Sequence, residues 1–316
     1  MDFSILVSDF WALTIYGLVV GAIIALVSLG YTLVYGVLRL INFAHSEIFM
    51  IGTMTCYWVV QRFGFTGYED PLPLWKFAGL FLLFGFAAAV VSGVAAVILE
   101  IVAYRRLRVL GASRLSSLIS AIGASFFLVE VFQKISGAKN LDFPRLISKD
   151  TLFEFQNAYI TQDKLLVIVG AAVIFYILNR VIHHTKLGLG IRAVSQDERA
   201  SILMGVNVNR IISYTFLLGG VLAGFGSAFY MVFYETTKAN VGFLIGISAF
   251  TAAVLGGIGN VKGALYGSFA LGLFQQYTSA VLGYNWKDVV TFVILVFVLL
   301  VKPTGLFGEA LQKARV

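Results

Sequence analysis

The chain reads as an all-α, polytopic bundle of transmembrane helices. Three observations lead there. Of its 316 residues 59% are hydrophobic and 12% are charged, about half the charged share of a typical soluble domain. The apolar residues fall in runs long enough to cross a bilayer at about 20 residues each. Charged residues gather in the breaks between those runs, as orientation-setting charge does. Residues 1–316 form a single membrane domain on this reading, with a lipid bilayer as its medium. The formal charge of +7 is scattered among the breaks, so it marks topology and not a nucleic-acid footprint. Cys56 is the one cysteine, which excludes an intrachain disulfide and a cysteine-based zinc cluster. The first 17 residues lack a basic n-region and a small-residue cleavage site. They read as the lead-in to the first span, not as a removable signal.

The first apolar run is Trp11 to Gly36. Gly17 and Gly21 form a GxxxG with Ala25 one turn on, spacing that lets two helices approach closely. Leu38 to Gly52, LRLINFAHSEIFMIG, then gathers Arg39, Asn42, His45, Ser46 and Glu47 inside apolar sequence. Asn42, His45 and Ser46 stand at i, i+3 and i+4 and share a face if helical. Two readings fit: a short wet loop between spans, or a broken or re-entrant segment lining a polar path. His45 and Glu47, two apart, point in different directions and are no metal pair.

Residues 48–61 continue as a span. Gly64 to Trp75, with Pro71 and Pro73, is a turn-rich loop. Lys76 to Tyr104 is a long helix, and Glu100 near its end is placed to pair with the basic run Arg105, Arg106, Arg108 and Arg114. Residues 115–135 form a weaker, serine-bearing span. Ser136 to Lys164 is the longest polar connection and reads as an external loop. Leu165 to Val181 spans again, and His183-His184 mark an interface.

Thr185 to Arg210, TKLGLGIRAVSQDERASILMGVNVNR, is the sharpest polar interruption. Ser195 to Glu198 fits a capping box, and Gly205 is placed to end the helix in a left-handed turn. Ala200, Leu203 and Met204 make a small apolar face. The expected object is a helix of about two to three turns outside the membrane. It either covers the end of the bundle or acts as a lever for a partner.

Ile211 to Tyr234 spans, and 235–240 is a short outer turn. Val241 to Tyr266 carries Gly256, Gly257, Gly259 and Gly263. GGIGNVKG lacks the Lys-Ser/Thr pair of a phosphate loop, so tight helix crossing and a broken helix account for it better. Residues 264–282 and 288–301 complete about nine membrane segments, broken or re-entrant ones included. The tail KPTGLFGEALQKARV reads as amphipathic and basic. Arginine and lysine placement puts the N-terminus outside and the C-terminus inside. Asn42–Gly52 and Gly242–Gly263, one in each half, hint at an inverted repeat around a substrate path.

ALVSLGYTLVYGVLRLINFAHSEIFMIG, Ala25 to Gly52, resembles the signature of the permease of branched-chain amino acid ABC importers, LivH type. Ser46 stands where that family usually has glycine. Thr185 to Val208 is similar to the family's cytoplasmic loop, and Ala249 to Gly267 and Lys302 to Gly308 to its C-terminal half. The resemblance implies a non-enzymatic subunit in the bacterial inner membrane, importing branched-chain or other neutral amino acids, with urea or short amides as the alternative cargo. A self-sufficient secondary transporter is disfavoured, because only Asn42–Glu47 puts polar charge deep in a span. Implied partners are a second homologous permease, two ATP-binding subunits that hold ATP and Mg, and a periplasmic substrate-binding protein. No cofactor, metal or catalytic group is expected on this chain. Asn42, His45, Ser46 and Glu47 are the candidate path. Gly188, Arg192, Ala193, Ser195, Asp197, Glu198, Ala200 and Gly205 are the candidate coupling residues.

Overall fold

Every apolar run in the sequence becomes a helix in the computed structural model, which describes residues 4–65, 67 and 70–308. In order these are α1 (Ser4–Ser8), α2 (Phe10–Leu38), α3 (His45–Arg62) and α4 (Leu74–Leu99). A π-helical turn (Glu100–Arg105) carries α4 into α5 (Arg106–Val109). Next come α6 (Arg114–Ser136), strands β1 (Leu141–Asp142), β2 (Thr151–Phe155) and β3 (Ala158–Thr161), and α7 (Gln162–His184). After α8 (Lys186–Gln196), α9 (Glu198–Leu203) and α10 (Val208–Tyr234) follow β4 (Thr236–Thr237), α11 (Val241–Gly256), α12 (Val261–Leu282) and α13 (Trp286–Val301). Among the described residues five helical stretches are long and apolar enough to cross a membrane, or six with the bent pair α11–α12. The other segments, α3 and α13, are shorter, at 18 and 16 residues.

α2 is apolar on all sides from Gly17 onward and is buried on all sides, as such a helix must be. It packs against α7, α10, α11 and α12. Gly17 and Gly21 sit at its crossing with α12: a Cβ on either would stand 2.9 Å from the backbone of Leu273 or Phe269. α6 and α7 form the periphery, with most of their apolar residues left unburied by the rest of the chain.

The chain has two recognisable ends. Trp11, near the start of α2, packs edge-on against Phe155 of the β2–β3 hairpin, with ring centroids 5.4 Å apart. At the other end of α2, Arg39 reaches the α8–α9 segment. α10 runs the opposite way, from just after α9 to β4, which pairs with β1. The two helices are therefore antiparallel.

Each then turns back into the bundle. After α2 the coil 39–44 climbs until the His45 ring meets Gly30. Gly30 lies eight residues before Leu38, about 12 Å along the axis. After α10, Thr237 bonds Thr53 of α3 at 2.8 Å and Gly242 lands against Ser46. Thus α3 and α11 both begin inside the bundle, at one depth, having entered from opposite ends. Residues 235–240, expected as a simple outer turn, instead lead α11 inward. Both breaks open on a charged residue in the left-handed region: Arg39 (φ 51°, ψ 33°) and Glu235 (φ 55°, ψ 22°). That conformation costs a non-glycine residue roughly 1–2 kcal/mol.

The 185–210 segment departs from the single capped helix expected. It is two helices meeting at Asp197, whose backbone is extended (φ −148°, ψ 109°). Ser195 is not the cap: it lies in the last turn of α8, where its hydroxyl donates to the Arg192 carbonyl at 2.8 Å. The cap is Asp197, whose Oδ1 accepts from the Ala200 N–H at 3.0 Å. A cap needs a non-helical backbone, and the chain leaves the helix at 197 and not at 195. Thr185 caps α8 through the Gly188 N–H at 3.1 Å. Gly205 (φ 83°) closes α9 with Val206 N–H bonding the Ser201 carbonyl at 3.0 Å and its own N–H bonding Ile202 at 2.9 Å, a Schellman end.

The glycine-rich run forms the 120° bend between α11 and α12. A Cβ on Gly256 would collide with the Gly263 carbonyl, and Gly257 and Gly259 take φ of 105° and 96°. Residues 302–308 fold onto this bend, with Leu306 and Phe307 N–H donating to the Leu255 and Gly256 carbonyls at 2.8 and 3.0 Å. The rest of the expected amphipathic tail, 309–316, lies outside the described residues. The long polar connection also holds a β2–β3 hairpin turned by Gln156 and Asn157, both with positive φ.

Candidate functional site

The polar residues expected along a path sit at the start of α3 and are all buried: Asn42 2%, His45 2%, Ser46 5% and Glu47 0% exposed. They do not share a helical face. α3 begins at His45, with Ala44 at its cap, and Asn42 lies in the turn before it, its carbonyl accepting from the His45 N–H at 3.1 Å. The turn, not helical periodicity, brings them together.

Neighbouring elements hold each side chain. Tyr104, on the π-helical turn, donates to Asn42 Oδ1 at 2.7 Å. Tyr31 of α2 packs edge-on against the His45 ring at 4.7 Å. Ser46 Oγ lies 2.7 Å from the Phe43 carbonyl and 3.1 Å from Glu47 Oε1. Ser125 of α6 donates to the same Glu47 oxygen at 3.1 Å. On the far side α11 presents Gly242 and Gly246, against Ser46 and beside the Tyr31 hydroxyl.

One polar atom on each of Asn42 (Nδ2), His45 (Nε2) and Glu47 (Oε2) has no protein partner, and the same holds for the hydroxyls of Ser28, Thr32 and Thr251. A buried polar atom without a partner costs about 1–3 kcal/mol. Among the described residues no cation pairs with Glu47. Such a set of donors and acceptors, at the depth where two helices begin, can hydrogen-bond a polar solute or water passing through.

The 185–210 residues lie elsewhere, at the end of the bundle. Gly188 is buried where a side chain would strike the Val181 and Ile182 carbonyls, which seats α8 against α7 and α10. Arg192, Asp197, Glu198, Ala200 and Gly205 are exposed, and Ala193 and Ser195 are half-buried. Ile202, Leu203 and Met204 stand bare at 56%, 87% and 84% exposure, an apolar face rimmed by charge of the kind that meets a partner. Arg39, at the start of the coil that leads to the polar cluster, donates to the Ser195 carbonyl of this segment at 3.1 Å.

Sequence reasoning missed several of these positions. Tyr31 and Tyr104 carried no polar pattern of their own, Ser125 read only as one serine of a serine-bearing span, and Gly242 only as the start of the glycine-broken segment. Arg39 read as one of the polar residues gathered in the Leu38–Gly52 stretch, with no partner assigned to it. Glu100 was legible: it is fully buried and bonds Arg105 at 2.6 Å and Arg108 at 3.2 Å, and it also accepts from Ser213 of α10 at 3.0 Å.

Spanning helices that surround a buried polar cluster, with two half-length helices starting beside it, make up a membrane permease. The family described as the permease component of the branched-chain amino acid transport system matches residues 13–299. The chain belongs to that family. It is 37% identical over 297 residues to the high-affinity branched-chain amino acid transport system permease protein BraD of Pseudomonas aeruginosa, covering 93% of this chain and 94% of that one. It is 35% identical over the same length to LivH of Escherichia coli K12, with the same coverage. A probable LivH of Methanocaldococcus jannaschii is 24% identical over 304 residues, covering 93% and 91%. No solved structure matches the chain.

Proposed function

We propose that this chain is a membrane-embedded subunit of an ATP-driven importer that carries branched-chain or other neutral amino acids into the bacterial cytoplasm. It lies in the inner membrane with its N-terminus outside and its C-terminus inside. A second homologous permease completes the pathway, two ATP-binding subunits seat on the α8–α9 segment, and a periplasmic binding protein delivers cargo to the hairpin end.

The observation that carries this reading is the pairing of two features. One is a buried cluster of unpaired polar atoms where α3 and α11 begin. The other is a stiff, capped segment with a bare apolar face at the end of the bundle. A zwitterion suits the first. The N-terminal ends of α3 and α11 carry partial positive charge and favour its carboxylate, while Glu47 Oε2 accepts from its ammonium group. The apolar side chain of the cargo meets Tyr31 and Phe250, whose rings lie 6.2 Å apart.

The second feature suits force transmission. Closure of an ATPase dimer gripping Leu203 and Met204 would move α8, and with it α7 and α10. The test is reconstitution of the complete complex in proteoliposomes with radiolabelled leucine. Uptake that requires ATP, and that fails when Arg192→Ala and Glu198→Ala are combined while the complex still assembles, supports the reading. Leucine accumulation by this polypeptide alone refutes it.

A further inference from the structure

We infer that Arg39 is a positioning residue that ties the α8–α9 segment to the polar cluster, so that movement of the segment resets the coil carrying Asn42 and His45. This rests on the functional reading above and adds the route by which force reaches the site. Three observations converge on it.

Arg39 is the first residue after α2, and the coil 39–44 leads from it straight to His45. Its guanidinium donates to the carbonyl of Ser195 in the last turn of α8, 156 residues away. Among the described residues no hydrogen bond or ion pair joins α8 or α9 to the segment Leu40–Glu47 itself. Other polar bonds that reach this segment come from Tyr104, Ser125, Tyr31 and the Val27 backbone, which belong to the bundle and not to α8–α9.

The backbone supports a role for the side chain. Arg39 holds φ 51°, ψ 33°, a left-handed helix end at which glycine is the unstrained choice. An arginine there accepts strain and gains a reaching donor. The acceptor is a backbone carbonyl beside Asp197, the joint between α8 and α9. The contact therefore reads the position of the joint and is indifferent to the serine side chain. A displacement of the C-terminal end of α8, pulled by α9 through that joint, carries the carbonyl with it, and the coil follows or the bond breaks.

The experiment measures leucine taken up per ATP hydrolysed, in the complete reconstituted complex, for Arg39→Gly, Arg39→Asn and Arg39→Lys. Glycine and asparagine keep the left-handed turn and remove the donor. Both are expected to lower uptake per ATP by roughly fivefold, the scale of one solvent-exposed charge-assisted hydrogen bond, with ATP hydrolysis retained. Lysine keeps one donor without the planar fork and is expected to fall between them and the native chain. An unchanged ratio in Arg39→Gly overturns the tether and leaves the importer reading intact. Failure of Arg39→Gly to assemble, with Arg39→Lys restoring assembly but not differing in ratio, makes the contact structural and also overturns it. Absence of ATP-dependent uptake in the native complex defeats the importer reading itself and is seen before any variant is made.

Discussion

The two breaks in the bundle use the same backbone device for different work. At 39–44 and at 235–240 a long helix ends on a charged residue in the left-handed region, and the chain turns back to start a new helix at mid-depth. The first break carries the polar side chains Asn42, His45, Ser46 and Glu47. The second answers with Gly242 and Gly246, which admit Ser46 at contact distance. Their anchors differ too. Arg39 is tied by one hydrogen bond to α8. Glu235 is held by Arg145 at 3.2 Å and Lys149 at 2.7 Å, and its hydrogen bonds keep the Arg145 guanidinium above its usual range. One half-site is chemically rich and lightly tethered; the other is chemically plain and clamped. The difference suggests that the first break moves and the second is the wall against which it moves.

The most severe way to break this comparison is to fill the wall. Gly242→Leu would press a side chain into the Ser46 carbonyl, and uptake should fall below detection while the protein still inserts; uptake near the native rate would show that the two breaks are not in contact. Glu47→Gln removes the buried carboxyl group and keeps the shape. It should lower uptake by roughly tenfold or more, as expected when one charge-assisted hydrogen bond to cargo is weakened, and binding of the ATPase subunits should be unaffected. Leu203→Ser with Met204→Ser should weaken retention of the ATPase subunits on purification severalfold without altering the fold, read by co-elution. Asp197→Ala removes the cap of α9 and should cost about 1 kcal/mol of local helix stability, visible as faster amide exchange at 199–203. The smallest effect belongs to the clamp. Glu235→Gln weakens a partly exposed ion cluster worth about 1 kcal/mol or less, so uptake should change less than twofold and the native clamp should loosen with salt.

How much of this was legible in the sequence follows from which physical signal each part left. That the chain is a bundle of membrane helices was plain because long apolar runs between charged breaks have few other solutions. About nine membrane segments were expected, and among the described residues five or six are long and apolar enough to span. The polar cluster was visible as Asn42 to Glu47, because such residues are costly within apolar sequence. Its geometry was not, since the i, i+3, i+4 spacing mimics a helix while the chain is a turn until Ala44. Residues 235–240 looked like an outer turn because short and polar describes both a turn and a descending coil. Ser195-Gln-Asp-Glu198 satisfied the capping-box pattern, yet the break fell two residues later, where Asp197 is itself a good cap. The hairpin had left a signal in the aromatic residues Phe153 and Phe155 before Gln156-Asn157, obscured by the mixed charges around it. The arginine tether left none: nothing local distinguishes a topological charge from one that reaches across 156 residues.

The most direct test is the accessibility of position 42 in the complete complex. Asn42→Cys, made in a Cys56→Ser background and reconstituted in oriented vesicles, is exposed to a small membrane-impermeant thiol reagent from one side at a time, with and without trapped ATP. The account predicts labelling from both aqueous phases in turn, with the reactive side exchanged by nucleotide. Labelling in no state, or from one side whatever the nucleotide, would contradict it.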